Sequence, residues 1–182
     1  MRPLCAAGLA TGAPSERRIC ADAAAALAYA TETLRLVPER DIVLYGKSIG
    51  SVPTLSLATN QAFRGIILVS GVASGARTMS STFGRCADRL AFNNLARLRK
   101  VRVTPVQLVH GKLDAVVAIA DALAMYDVCK AHHPLAPSWI DDGEHNGIET
   151  TNAQEHTAAV KAILRHLLLQ PDAIDDATTC AA

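Results

Sequence analysis

Residues Asp41-Ile42-Val43-Leu44-Tyr45-Gly46-Lys47-Ser48-Ile49-Gly50 constrain this chain more than any other stretch. Positions 42–45 are apolar and mostly branched, the composition of a buried strand, and 51–59 has helical spacing. Gly46-x-Ser48-x-Gly50 lies between them. A chain that passes from strand to helix within so few residues brings the two backbones close together, and a glycine on either side of the serine is expected to avoid a Cβ collision. Such a turn lifts the Ser48 hydroxyl above the sheet and presents the Ile49 backbone N–H beside it. Gly46-Lys47-Ser48 also resembles the end of a phosphate-binding loop. That motif needs a glycine at position 41, which is Asp, and a flexible loop where 42–45 reads as strand.

The remaining chain alternates short apolar runs with helical patterns. A helix is expected over 16–37, with Ser15 as N-cap, Pro38 as stop, and Ala24, Leu27, Ala28, Thr31, Leu34 and Leu36 as its buried stripe. Further strands are expected at 63–71, 105–110 and 137–140, with helices over 87–98, 117–131 and 151–169. The last helix carries Val160, Ile163, Leu164, Leu167 and Leu168 as its apolar face. Strands separated by helices with short links predict an α/β fold with a mainly parallel sheet, in one domain over 1–170 followed by an acidic tail over 171–182.

Bulk properties exclude several function classes. With 50% hydrophobic and 19% charged residues the chain is globular, and a formal net charge of +1 gives no reason to expect nucleic-acid binding. The cluster Arg97, Arg99, Lys100, Arg102 reads as a solvated helix end. The five cysteines are scattered, odd in number and without Cys-x-x-Cys pairing, which fits a reducing compartment and argues against a zinc site. No cluster has metal-ligand spacing, and no metal or cofactor is expected. Leu4 to Ala10 has the look of a stunted signal peptide, and no run is long enough to cross a membrane.

A serine hydroxyl attacks only when a base removes its proton and a carboxylate orients that base. In a parallel sheet the C-terminal ends of all strands open on one edge. Ser48 follows the first expected strand, Asp114 the third and His145 the fourth, so all three are expected on that edge. Their order is that of the nucleophile-elbow hydrolases. Asp114 also suits the cap of the following helix, and Asp141 and Asp142 lie too close to His145 in sequence to replace it. Among the other histidines, His156 and His166 sit on the last helix, His132 and His133 at a helix end, and His110 at a strand end as a core residue. Lys47 is expected to point into solvent.

Three segments resemble the α/β-hydrolase-domain-17 group: DIVLYGKSIGSVPTLSLA (41–58), HGKLDAVV (110–117) and EHNGIE (144–149). Gly12-Ala13-Pro14-Ser15-Glu16 and Ala21-Asp22 look like that group's Gly-x-Pro-Ser-Glu segment and the start of its next helix. The resemblance runs over about residues 8–169 and implies that the early residues belong to the domain rather than to a signal peptide. It implies a serine hydrolase acting as an acyl-protein thioesterase that removes palmitate from cysteines, with Ser48 as nucleophile, Asp114 as acid, His145 as base and the Ile49 N–H as oxyanion donor. The implied substrates are lipidated proteins or acyl esters, met in the cytoplasm or at a membrane surface. Where the group usually has Gln, this chain has Lys47, and where its histidine follows Gly, this one follows Glu144. The group also has strands and a His-Gly-Asn loop ahead of its Gly-x-Pro-Ser-Glu segment. The chain therefore matches the C-terminal portion of an α/β-hydrolase fold, its elbow strand left with an open edge for pairing with another chain. Two other functions remain open: a catalytically impaired binding module, and an esterase or peptidase acting on small esters.

Overall fold

The computed structural model describes residues 15–75, 92–132 and 135–169. The acidic tail, Gly12-Ala13-Pro14, the first half of the helix expected over 87–98, His133, Cys5, Cys86 and Cys180 lie outside the described residues.

Ser15 caps the first helix as expected: its backbone is extended and its Oγ accepts from the Arg18 N–H at 3.2 Å. This helix, α1, spans Glu16–Ala28 and then widens into a π-helical turn over Tyr29–Thr33 instead of continuing to residue 37. The Thr31 hydroxyl donates back to the carbonyls of Leu27 and Ala28 at 3.1 and 3.2 Å, which competes with the regular ladder where it opens. Pro38 does not stop a helix; it occupies the first turn of a new one, α2 (Pro38–Asp41), where its missing N–H costs nothing.

The sheet follows. Strand β1 (Val43–Lys47) leads through a 3-10 turn (Ser48–Gly50) into α3 (Ser51–Ala58). Then come β2 (Gly65–Val69), α4 (Asn94–Leu98), β3 (Val106–Gly111), α5 (Ile119–Cys129), β4 (Ser138–Ile140) and α6 (Ala153–Leu169). The four strands are all parallel and lie in the order β1-β2-β3-β4. The expected α/β architecture is thus present.

Period-two alternation sorts the strand residues onto two covered faces. Ile66 and Leu68 join Val106, Leu108, Leu55, Leu98 and Met125 on one side. Ile67 and Val69 join Val109, Ile140, Ile148, Ile163 and Leu167 on the other. Helices on both faces explain why β2 reads as an unbroken apolar run and why every residue of β3 is buried, Gln107 and His110 included.

Two expected stripes are corrected. No residue of α1 or of its π turn is buried, and Leu34 is exposed. That helix packs against α3 at the β1 end of the sheet, and among the described residues no further strand lies beyond β1. An apolar groove of about 380 Å³ runs there, lined by Leu27, Ala30, Leu44, Pro53 and Leu57 among others. On α6 the buried residues are Ala159, Ile163 and Leu167, while Leu164 and Leu168 face outward. No described helix is long and apolar enough to cross a membrane.

Candidate active site

The turn after β1 holds Ser48 in the left-handed region, at φ 49°. A non-glycine residue there is strained by roughly 1–3 kcal/mol, and the surrounding packing has to hold it. Gly46 meets its expected role, since an added Cβ would lie 2.6 Å from Thr54 Oγ1 and 2.9 Å from the Gly50 carbonyl. Gly50 does not: a Cβ there meets nothing within 4 Å. The close approach is made on the strand side of the serine alone. The Ser51 hydroxyl ties the turn down from beneath. It donates to the Ser48 carbonyl at 2.6 Å and accepts from the Val72 N–H at 3.2 Å and Asn94 Nδ2 at 3.0 Å. Ser51 and Asn94 are both fully buried.

Asp114 follows β3, and its two carboxylate oxygens have different partners. Oδ1 accepts the backbone N–H groups of Val116 and Val117 at 2.9 and 2.8 Å. Oδ2 lies 2.8 Å from His145 Nδ1. The cap residue of α5 itself is Ala118, so Asp114 closes the turn ahead of that helix. Burial pushes its carboxyl pKa up, but the Val117 amide, the His145 hydrogen bond and the Val116 amide outweigh this and leave it below the usual carboxylate range.

His145 lies beyond β4, and its loop is pressed onto the end of β3. Gly111 and Gly143 are in backbone contact, the Gly143 carbonyl accepts the Leu113 N–H at 3.0 Å, and the Ile140 carbonyl accepts the Lys112 N–H at 2.8 Å. This brings the imidazole between the other two groups, with Nε2 3.0 Å from Ser48 Oγ. A carboxylate only accepts, so Nδ1 carries the proton and Nε2 is left to accept from the serine hydroxyl. The histidine side chain is 12% exposed and the Asp114 side chain 0%. This chain of two hydrogen bonds allows one proton to pass from serine to imidazole while the buried carboxylate stabilises the resulting cation.

The other sequence candidates have other hydrogen-bond partners, although His110 Nε2 also lies 3.6 Å from Asp114 Oδ2. His110 is buried with Nε2 2.8 Å from the Val117 carbonyl, and burial holds its pKa down. Asp141 pairs with Lys112 and Asp142 accepts from Asn152. Lys47 does not extend into solvent; its Nζ is 2.5 Å from Glu149 Oε2. Ile49 lies in the 3-10 turn at the head of α3, where backbone N–H groups have no intrahelical acceptor. Ser51 and Asn94 were not singled out by the sequence. Ser51 is legible only as the residue after the Gly-x-Ser-x-Gly motif, and nothing in the sequence marks Asn94. Among the described residues no cluster of three or more His, Cys, Asp or Glu has the arrangement of a metal site.

Comparison with known proteins bears on the fold and the family. The model of the prolyl oligopeptidase family matches residues 16–168. Alpha/beta hydrolase domain-containing protein 17C of Xenopus tropicalis is 37% identical over 144 residues, covering 78% of this chain and 44% of that protein. Human protein 17B of the same series is 32% identical over 144 residues, covering 78% of this chain and 48% of that protein. The chain therefore spans less than half the length of these relatives. Among solved structures, an esterase from Pyrococcus furiosus superposes with TM-score 0.65 at 16% identity, over 87% of this chain and 66% of its own. An acylaminoacyl peptidase from Pyrococcus horikoshii does so with TM-score 0.63 at 18% identity, over 81% of this chain and 27% of its own. The chain has an α/β-hydrolase fold, belongs to the prolyl oligopeptidase family and is similar in sequence to the α/β-hydrolase-domain-17 proteins.

Proposed function

We propose that this chain carries the nucleophile, base and acid of a serine hydrolase whose substrates are acyl thioesters, in particular palmitoyl-cysteine of lipidated proteins. The observation that carries the hydrolase reading is the hydrogen-bond chain Ser48 Oγ–His145 Nε2 and His145 Nδ1–Asp114 Oδ2, at 3.0 and 2.8 Å. Ser48 attacks the thioester carbonyl while His145 takes its proton, and the Ile49 N–H receives the developing oxyanion. Collapse expels the cysteine thiolate, which His145 protonates. Water then attacks the acyl-enzyme with His145 as base, releasing the fatty acid and restoring Ser48. Asp114 holds the imidazole in the required tautomer throughout. The thioester preference is supported by the sequence similarity to the α/β-hydrolase-domain-17 proteins and not by the triad, which serves esters and amides equally.

The test is labelling of the purified chain with a fluorophosphonate, beside Ser48→Ala. Label that disappears in the variant supports the triad, and folded wild-type protein that takes no label refutes it. Palmitoyl-cysteine peptides and short p-nitrophenyl esters then separate the thioesterase from a small-ester hydrolase.

The outer edge of β1, which no strand among the described residues pairs with, and its apolar groove favour a second, compatible reading, in which this edge pairs with β1 of a second copy of the chain. Light scattering across a concentration series tests it. A monomer at every concentration rejects self-pairing.

A further inference from the structure

The triad has to be closed across the width of the sheet. Ser48 follows β1 and His145 follows β4, at opposite ends of the strand order. Three interstrand spacings of roughly 4.8 Å place about 14 Å between those strands. The loop over 141–152 spans that distance, and β4, at three residues, is a short base for it. On the β3 side the Gly111–Gly143 contact holds the loop.

Glu149 holds it on the β1 side. Lys47 Nζ donates to its Oε2 at 2.5 Å and the Tyr45 hydroxyl to its Oε1 at 2.5 Å. Tyr45 and Lys47 are two residues apart on a strand and so share a face, the one opposite Gly46, which packs against Thr54. One carboxylate thus grips two alternate positions of the nucleophile strand, the second adjoining Ser48. The neighbouring Ile148 is fully buried in the cluster with Ile67, Val69 and Ile163, which seats the same segment on the sheet. His156 Nε2, 3.0 Å from the Tyr45 oxygen, completes the group from α6. The charge states agree with the geometry. Hydrogen bonds from Lys47 and then Tyr45 lower the Glu149 pKa, while burial and then the carboxylate raise that of Tyr45, so the phenol keeps its proton to donate.

We infer that Glu149 is a positioning residue of the hydrolase site: by engaging Lys47 and Tyr45 it fastens the histidine loop to the nucleophile strand and sets the Ser48–His145 distance. This rests on the triad reading above. Glu149 acts through the backbone on both sides and needs no contact with substrate.

Misplacing a reacting group by about 1 Å costs on the order of a hundredfold in rate. In Glu149→Ala, fluorophosphonate labelling of Ser48 is expected to slow by roughly ten- to a hundredfold. For a short ester kcat should fall with KM little changed, and backbone hydrogen exchange over 142–150 should quicken. Glu149→Gln keeps one acceptor oxygen, for either Tyr45 or Lys47, and turns an NH₂ toward the other; it should recover part of the labelling rate and loop protection. Should the alanine variant fail to fold, the glutamine variant carries the comparison through a smaller loss in both readouts. Loop exchange equal to wild type in the folded variants overturns the inference, as does faster exchange with an unchanged labelling rate. A wild-type chain that takes no label refutes the triad reading instead, and the exchange comparison still decides whether Glu149 holds the loop.

Discussion

Gly111→Ala tests how closely the acid and base loops depend on each other. A Cβ at Gly111 would stand 2.1 Å from the Gly143 carbonyl oxygen and 2.4 Å from its carbon. Ordinary contact begins near 3.4 Å, so the two backbones must part by about 1.3 Å. The obstacle is main chain on both sides, and no side-chain rotation relieves it. Parting the loops breaks the Leu113–Gly143 hydrogen bond and lengthens the His145–Asp114 contact from 2.8 Å toward 4 Å, beyond hydrogen-bond range. A charge-assisted hydrogen bond of this kind contributes about 1.5–3 kcal/mol, and overpacking costs a further 1–3 kcal/mol. The variant should lose about 2.5–6 kcal/mol in urea unfolding and label with fluorophosphonate at least a hundredfold more slowly than wild type. Gly50→Ala is the matched control. It adds the same methyl where nothing lies within 4 Å, at φ -61°, and should be neutral or stabilising by a few tenths to 1 kcal/mol. A Gly111→Ala protein as stable and as reactive as the Gly50→Ala protein would refute the reasoning.

Three further outcomes follow from the same geometry. Asp114→Asn should reduce turnover by on the order of 10⁴ with the fold retained, because Oδ1 remains for the Val116 and Val117 amides while an NH₂ faces His145 in place of an acceptor; a steady-state assay beside circular dichroism checks this. The Asp114 carboxyl is held below its unfolded value of about 3.9, so the stability it adds is fully present above pH 4 and lost as the pH falls through the folded pKa. The unfolding free-energy gap between wild type and Asp114→Asn should therefore narrow from pH 6 to pH 3, and a gap that narrows only above pH 6 counts against the assignment. Ser51→Ala leaves the buried Val72 N–H without its acceptor and deprives Asn94 of one, which should cost about 1–3 kcal/mol in urea unfolding.

The sequence made the architecture legible because buried parallel strands carry an apolar signal, seen in Ile66 to Val69 and in Val106, Leu108 and Val109. It made the residues of the hydrogen-bonded group legible because each follows a strand, and parallel strands share one functional edge. It could not tell Gly46 from Gly50, since the difference is Thr54 and a carbonyl meeting one of them and open space beside the other. Nor could helical periodicity show that α1 lacks buried residues or that Leu164 and Leu168 face out. Periodicity reports which residues share a face, and what covers that face is decided elsewhere in the chain. Lys47 and Glu149 escaped for the same reason, being partners separated by 102 positions.

The site divides into parts that respond to different probes. The proposed proton-transfer chain is assembled from residues that follow β1, β3 and β4 and are 97 and 31 positions apart, and it depends on the Gly111–Gly143 contact and on the ties to Glu149. The proposed oxyanion donor, the Ile49 N–H, belongs instead to the turn that the Ser51 hydroxyl and Asn94 support. A perturbation of the first part changes how readily Ser48 loses its proton and should appear in the pH dependence of labelling. A perturbation of the second leaves that dependence in place and lowers the plateau rate, since the loss of a single oxyanion donor is felt as roughly a hundred- to a thousandfold in turnover. Comparing the pH profiles of Glu149→Gln and Ser51→Ala would therefore show whether loop position and turn geometry act as separate determinants. Identical changes in shape and plateau would mean that the elbow and the histidine loop move as one body.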